Sequence, residues 1–118
     1  MPKKKLITII KDCLEEMKAQ DTVILDIKDK SSIADYMVVS SGTSTRHVNS
    51  IADKIQRTLK TSSYKNIKVE GLQNCDWVLI DALDVIVNIF KPEVREFYMI
   101  EKIWSENLVL DTKKSLGT

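Results

Sequence analysis

The sequence has few of the residues on which many metal, redox and phosphate sites depend. Its two cysteines, Cys13 and Cys75, lie far apart and belong to no CxxC or Cys/His spacing. The pattern therefore gives little support to a zinc site or to redox chemistry. There is one histidine, His47, and none of the three glycines belongs to a G-x-G-x-x-G or GKS/T motif. No metal site and no cofactor are predicted.

Neither sign of charge dominates, and the apolar runs are short. Eighteen Lys and Arg residues stand against seventeen Asp and Glu residues, whereas a protein that grips nucleic acid through many phosphates carries a basic surplus. The lysines at 3–5 are typical of a solvated terminus. The apolar run after them stops at Lys11, too early for a signal peptide or a membrane span. We therefore expect a cytoplasmic protein with little direct nucleic-acid contact and no membrane association.

The 118 residues suffice for one domain with a single core. Apolar residues recur at helical spacing in three segments, 6–17 (ending near 20), 48–59 and the stretch opened by Pro92. Strand-length apolar runs lie at 22–27, 36–40, 67–71 and in the two halves of 76–90, which divide around 82–83. This order predicts an α/β (α+β-like) fold, a mixed five-stranded sheet flanked by helices. We assign residues 1–106 to the domain and 107–118 to a flexible tail.

The stretch SSGTSTRHVNS, residues 40–50, concentrates hydroxyl groups at the start of the second predicted helix. Thr43 or Ser44 is well placed to cap this helix by accepting a hydrogen bond from a backbone N–H group. The stretch also follows a strand and contains a glycine, which is the layout of an anion site. The residues of that alternative site are Gly42, Thr43, Ser44 and Arg46. Because one glycine is a weak signal, we favour capping.

The residues that could carry catalysis stand alone in the sequence. His47 would need a nucleophile and an orienting acid close by, and the sequence places neither beside it, so we favour a hydrogen-bonding role. Asp81 and Asp84 flank the predicted hairpin turn and could hold a divalent metal. The same spacing is also used for turn bonding, which we favour. The residues alone therefore predict no active site.

Four motifs occur in one order along the chain: DKSSIADYMVVSSGTSTRHVNSIADKI, VEG, DWVLIDALDVIVNIF and VREFYMIEKIW. Together they closely resemble the ribosomal silencing factor family, also called the Iojap-like proteins, over residues 6–104. The resemblance implies a catalytically empty relative of the nucleotidyltransferase fold. The strand IKVEG fits this, since it lacks the paired acids that such an enzyme needs for its metals. The protein is therefore expected not to be an enzyme.

The resemblance implies a role in translation regulation. Family members bind the large-subunit ribosomal protein L fourteen on the face that meets the small subunit. They thereby act as repressors that block subunit association when nutrients run short, as in stationary phase. Two alternatives stay open: a nucleotidyl- or phosphoryl-transferase using the 42–46 stretch for phosphate and Asp81 and Asp84 for a metal, and a scaffold in ribosome assembly. A homodimer of the isolated protein also stays open, because an apolar patch that binds a partner can pair with itself.

Carried over onto this sequence, the motifs assign partner contacts to Arg46, His47, Trp77, Asp81, Ala82, Leu83, Asp84 and Asn88. The chain departs from the usual family pattern at Leu83 and Asn88, and Ala82 is smaller than the residue of some relatives, which predicts weaker partner contacts there. Leu83 stands where the family usually has glycine, which predicts a reshaped turn with an apolar side chain at its tip. Asn88 stands where many members have histidine, which weakens any chemistry based on a pair of imidazoles.

Trp77 is the residue for which the sequence leaves two roles open. Strand alternation places Trp77, Leu79 and Asp81 on one face of their strand. We expect this face to become exposed toward the hairpin and Trp77 to lie near its tip beside Leu83, where a tryptophan can dominate an interface. The alternative is that Trp77 closes the core under a neighbouring helix.

Overall fold

A computed structural model describes residues 5–30, 32, 34–64 and 66–98 of the chain. Its elements are α1 (Leu6–Glu16), β1 (Gln20–Asp26), β2 (Tyr36–Ser41), α2 (Thr45–Thr61), β3 (Lys68–Glu70), β4 (Trp77–Ala82), β5 (Val85–Phe90) and α3 (Pro92–Tyr98). This is the order predicted from the sequence. The predicted continuation of the last helix and the predicted tail, 107–118, lie outside the described residues.

The strands form one five-stranded sheet in the order β1-β2-β5-β4-β3. The central pair, β2 and β5, is parallel, and the other neighbours are antiparallel, which confirms the predicted mixed sheet. Ser41 pairs with Phe90, and Phe90 also pairs with Trp77. The carboxyl ends of β2 and β5 and the start of β4 therefore meet at one end of the sheet, here called the Phe90 end. The β4–β5 turn lies at the opposite end, the hairpin end.

The larger core lies between the sheet and the two long helices. The helices bury one apolar stripe each: Leu6, Ile9, Ile10, Cys13 and Leu14 of α1, and Val48, Ile51, Ala52, Ile55 and Leu59 of α2. These residues pack against sheet residues that include Val38, Val78, Ile80, Val87 and Ile89. A fully buried Val, Leu or Ile side chain contributes about 1.5–3 kcal/mol relative to an exposed one, so this layer dominates stability. No helix in the described part of the chain has the length and apolar character needed to cross a membrane.

The other side of the sheet, here called the back face, carries a smaller apolar cluster. Its buried members are Ile27, Ala34, Met37, Val39 and Phe90, and its half-buried members include Leu25, Trp77, Ile86 and Val94. In β4, buried residues alternate with half-buried ones, as predicted: Trp77, Leu79 and Asp81 face the back, and their neighbours face the helices. Several apolar side chains of the back face thus keep part of their surface in contact with solvent.

The first helix ends earlier than the sequence predicts. The N–H of Lys18 donates to the carbonyl oxygen of Glu15 and that of Ala19 to Leu14, which is the bonding of a Schellman motif. Lys18 adopts the left-handed conformation this motif requires, with φ 58°. Because a lysine occupies the position where glycine is usual, no local signal marked the helix end. As a result, β1 begins at Gln20 instead of at Thr22.

Candidate functional site

The hydroxyl-rich stretch at the Phe90 end is a helix cap. The N–H of His47 donates to Ser44 Oγ at 3.1 Å, and Ser44 has the extended backbone of an N-cap residue. The capping prediction is therefore confirmed for Ser44. The N–H of Thr43 donates to His47 Nδ1 at 2.9 Å, and that of Gly42 donates to the Phe90 carbonyl oxygen at 2.9 Å. Three N–H groups that an anion could use are thus already bonded within the protein.

Gly42 is explained by packing. A Cβ atom at this position would lie 2.8 Å from Val48 Cγ2 and 2.9 Å from the backbone nitrogen of Val48. The end of β2 therefore approaches the first turn of α2 too closely for a larger residue. This close approach accounts for the glycine without a phosphate, and Arg46, the remaining member of the anion alternative, is exposed. The geometry supports the capping interpretation over the anion site.

His47 joins α2 to the end of α1. Its Nδ1 accepts from the N–H of Thr43, and its Nε2 lies 2.8 Å from the carbonyl oxygen of Met17. Since a carbonyl oxygen can only accept, Nε2 is the donor in this contact, and Nδ1 is the acceptor in the other. Both ring nitrogens are thus engaged by backbone groups, whereas a general base needs one that can take a proton from substrate. The structural hydrogen-bonding role predicted for His47 is confirmed.

Trp77 lies on the back face at the Phe90 end, and the structure fixes its ring from two sides. The indole ring stacks on Phe90, with centroids 4.9 Å apart and planes inclined by 31°. Its Nε1–H donates to Asn88 Oδ1 at 2.9 Å. The side chain is nevertheless only half-buried. Trp77 therefore combines features of both predicted roles, because it packs on a core residue and keeps surface that a partner can contact.

The structure explains the glycine of the VEG motif, which contacts the backbone of Trp77. Gly71, the glycine of the VEG motif, has φ 94°, and a Cβ atom there would collide with the carbonyl oxygen of Trp77. Its own carbonyl oxygen accepts from the N–H of Cys75 at 3.0 Å. Only glycine fits this position, since it combines a left-handed backbone with a close backbone contact. Gly71 thus sets the path of the chain into β4, where Trp77 begins the strand.

Two predicted contact residues are corrected by the structure. Ala82 is 0% exposed and faces the helices, and Asn88 is 1% exposed. The Asn88 amide nitrogen lies 2.9 Å from Met37 Sδ and 3.4 Å from the Val38 carbonyl oxygen, inside the sheet layer. The prediction that these two side chains contact a partner directly is wrong, because neither reaches the surface.

The prediction that Trp77 lies near the hairpin tip beside Leu83 is also wrong. Trp77 begins β4 at the Phe90 end, whereas Leu83 follows that strand at the hairpin end. At roughly 3.3 Å per residue, the six steps between them span about 20 Å. The predicted contact residues therefore form two separate groups: Arg46, His47, Trp77 and Asn88 lie near the Phe90 end, and residues 81–84 lie at the hairpin end.

At the hairpin end, the side chain of Asp81 and the backbone of Asp84 accept hydrogen bonds. Asp81 Oδ1 accepts from the N–H of Leu83 at 3.3 Å, which confirms the predicted turn bonding for Asp81. The carbonyl oxygen of Asp84 accepts from the N–H groups of Asp35 at 2.7 Å and Tyr36 at 3.1 Å. Leu83 is 51% exposed and has φ 68°, so an apolar side chain does occupy the tip. Within the described residues, no group of three or more His, Cys, Asp or Glu side chains is arranged to hold a metal.

Comparisons with known proteins agree on one family. The family model described as "Ribosomal silencing factor during starvation" matches residues 1–117. The chain is 42% identical to the ribosomal silencing factor of Zymomonas mobilis, over 84% of this chain and 74% of that protein. It is 31% identical to the mouse protein named "Mitochondrial assembly of ribosomal large subunit protein 1", covering 84% of this chain and 45% of that protein. A crystal structure of a Chromobacterium violaceum protein superposes with a TM-score of 0.83 at 34% identity, over 89% of this chain and 88% of that one. This chain therefore belongs to the family of ribosomal silencing factors.

Proposed function

We propose that this protein binds the large ribosomal subunit through ribosomal protein L fourteen and thereby prevents the small subunit from joining. It represses translation in the cytoplasm when nutrients run short, as in stationary phase. It acts by occupying a surface, without turnover and without a cofactor. The observation that carries this proposal is the half-buried, firmly held Trp77 on the back face of the sheet.

The surface around Trp77 has the composition of a protein interface. The back face carries three half-buried apolar residues on adjacent strands: Trp77, Leu79 and Ile86. We call these residues the Trp77 patch. Glu70 pairs with Leu79 across the β3–β4 ladder and is exposed at the margin of the patch. Interfaces combine an apolar centre rich in aromatic residues with a polar rim, and tryptophan is enriched among the residues that dominate affinity.

The charges near the patch favour a protein partner over ribosomal RNA. The whole chain has a formal net charge of only +1. Glu70 and Asp81 share the back face with Leu79, and Lys68 pairs with Asp81, so this edge carries no basic surplus that would attract phosphate groups. A ribosomal protein offers apolar and basic side chains, which fit such a surface. These charges support a contact made mainly through protein, as the family membership leads us to expect for L fourteen.

A second candidate function is a role in assembly of the large subunit. The mouse relative is named for the assembly of the mitochondrial large subunit, and a factor bound to that subunit can act before or after its completion. The transferase alternative has less support, because the 42–46 stretch is engaged in capping and Asp81 in the turn. In isolation, we expect the Trp77 patch to pair with a second copy of the chain, giving a homodimer that competes with ribosome binding.

Co-sedimentation tests the proposal. Purified large subunits, small subunits and joined ribosomes are each centrifuged with the protein, and subunit joining is measured at rising protein concentration. We expect binding to free large subunits and a lower yield of joined ribosomes. Trp77→Ala should lose about 2 kcal/mol or more of affinity, whereas Ile24→Ala, which removes an exposed apolar side chain from β1, should bind normally.

The same measurements can refute the proposal. Equal binding to both subunits, or no effect on joining at excess protein, would contradict it. Normal affinity of a folded Trp77→Ala variant would remove Trp77 from the contact surface. A protein that binds large-subunit precursors but leaves joining unaffected would instead favour the assembly role.

A further inference from the structure

Asn88 is a buried polar residue whose amide oxygen and nitrogen each have a hydrogen-bonding partner in the protein. It lies in β5, directly opposite Leu79 of β4, and is 1% exposed. Its Oδ1 accepts from the Trp77 indole N–H at 2.9 Å. Its Nδ2 approaches Met37 Sδ at 2.9 Å and the Val38 carbonyl oxygen at 3.4 Å. The amide thus connects the Trp77 ring to the two central strands.

Only one orientation of this amide satisfies all its neighbours. If the amide were rotated by half a turn, Nδ2 would face the indole N–H, donor against donor. Oδ1 would then face the carbonyl oxygen of Val38, acceptor against acceptor. The surrounding sheet therefore fixes the direction of Oδ1, and Oδ1 in turn fixes the direction of the indole N–H.

The stacking of Trp77 on Phe90 restricts the orientation of the indole ring less than the hydrogen bond to Asn88 does. Offset contacts between aromatic rings tolerate a range of tilts and displacements, so Phe90 holds the Trp77 ring at a distance of 4.9 Å but leaves it some freedom. A hydrogen bond requires a nearly linear donor. Turning the ring away would also leave the buried Oδ1 without that partner, which is unfavourable in a region from which water is excluded.

We propose that Asn88 is a positioning residue for partner binding, which holds the Trp77 indole in the orientation that the bound state requires. This inference rests on the proposed function, because it takes the Trp77 patch as the contact surface. Asn88 itself touches no partner. Its contribution is to order the ring before binding, so that the complex forms without a further loss of side-chain freedom.

Nuclear magnetic resonance of the full chain, labelled with nitrogen-15, tests the orienting role. The two tryptophans, Trp77 and Trp104, give two indole N–H signals, and Trp77→Phe assigns them. In Asn88→Leu, we expect the Trp77 signal to move toward that of a free indole and to exchange faster with water. Asn88→His should restore the signal in part, because imidazole offers an acceptor nitrogen. An unchanged Trp77 signal in Asn88→Leu overturns the inference.

Binding is measured on the same variants with purified large subunits, at a temperature where each is folded. Asn88→Leu should bind about tenfold more weakly, the equivalent of one modest hydrogen bond and the ordering that it provides. The control is Ser40→Ala, which removes a buried hydroxyl bonded to Thr22 at 2.7 Å. It should lower stability while leaving the Trp77 signal and the affinity unchanged. If Asn88→Leu does not fold, Asn88→Ser replaces it, since its hydroxyl ends short of the indole.

The outcomes separate this inference from the proposed function. A Trp77 signal that moves while affinity stays the same overturns the positioning role and leaves the proposed function intact. If the wild-type protein fails to bind large subunits, the proposed function is refuted, and with it the part of the inference that concerns binding. If Ser40→Ala weakens binding as much as Asn88→Leu does, general destabilisation explains both variants and the positioning role is overturned.

Discussion

At position 83, glycine should give a more stable protein than alanine. Leu83 has φ 68°, and the left-handed conformation costs an L-residue roughly 1–2 kcal/mol that glycine does not incur. Glycine in turn makes the unfolded chain more flexible, which costs about 0.4–1 kcal/mol. The comparison is made with alanine because Leu83 is 51% exposed, and both variants lose the buried half of the leucine side chain. The difference predicts that the free energy of unfolding of Leu83→Gly exceeds that of Leu83→Ala by about 0.5–1 kcal/mol.

Urea unfolding of a matched series checks this value. Leu83→Asn should be more stable than Leu83→Ala, because asparagine tolerates the left-handed region, and Leu83→Val should be less stable than wild type, because a branched Cβ does not tolerate it. A Leu83→Gly variant no more stable than Leu83→Ala would show that the turn conformation is not strained. The same proteins test whether Leu83 contacts the ribosome, since loss of a contact residue would lower the affinity of Leu83→Gly and Leu83→Ala alike while both remain folded.

Three further predictions concern single side chains. His47→Ala should lower the free energy of unfolding by about 1–2 kcal/mol, since two hydrogen bonds are lost, but it should change subunit blocking only a few-fold. A several-hundred-fold loss of blocking with an intact fold would make the histidine central to binding. Gly71→Ala should destabilise by more than about 1 kcal/mol in urea, because of its φ of 94° and the collision with the Trp77 carbonyl; wild-type stability would refute this strain. Burial raises the pKa of the Cys13 thiol, because the folded protein disfavours the charged thiolate. The stability that the protonated thiol contributes is therefore complete below the unfolded thiol pKa of about 8.5 and is lost as the pH rises above that value. Stability measured at neutral and alkaline pH should therefore fall less in Cys13→Ala than in wild type, and an equal fall would contradict the assignment.

The helices and strands could be predicted from the sequence better than the contacts between side chains of different strands. Helical spacing and strand alternation are local, so the stripe of α2 and the two faces of β4 could be predicted from residues a few positions apart. Alternation also placed Ala82 on the same side as Val78, which should have removed it from the contact residues. The bond between Trp77 and Asn88 could not be predicted in this way, because it depends on the register of β4 against β5. The end of α1 was missed since Lys18 adopts a conformation that its residue type does not indicate.

The place of β5 in the sheet has a consequence for how the chain folds during synthesis. The last strand in the described part of the chain, Val85–Phe90, lies between β2 and β4 in the middle of the sheet. Until β5 has left the ribosome, β1 and β2 can form only a two-stranded ribbon, and the apolar residues of α1 and α2 lack the part of the sheet that β5 supplies. Such a ribbon is barely stable alone and exposes an unpaired strand edge prone to aggregation. We therefore expect folding to be cooperative and late, because the parallel pairing of β2 with β5 joins segments about fifty residues apart and such distant contacts form slowly.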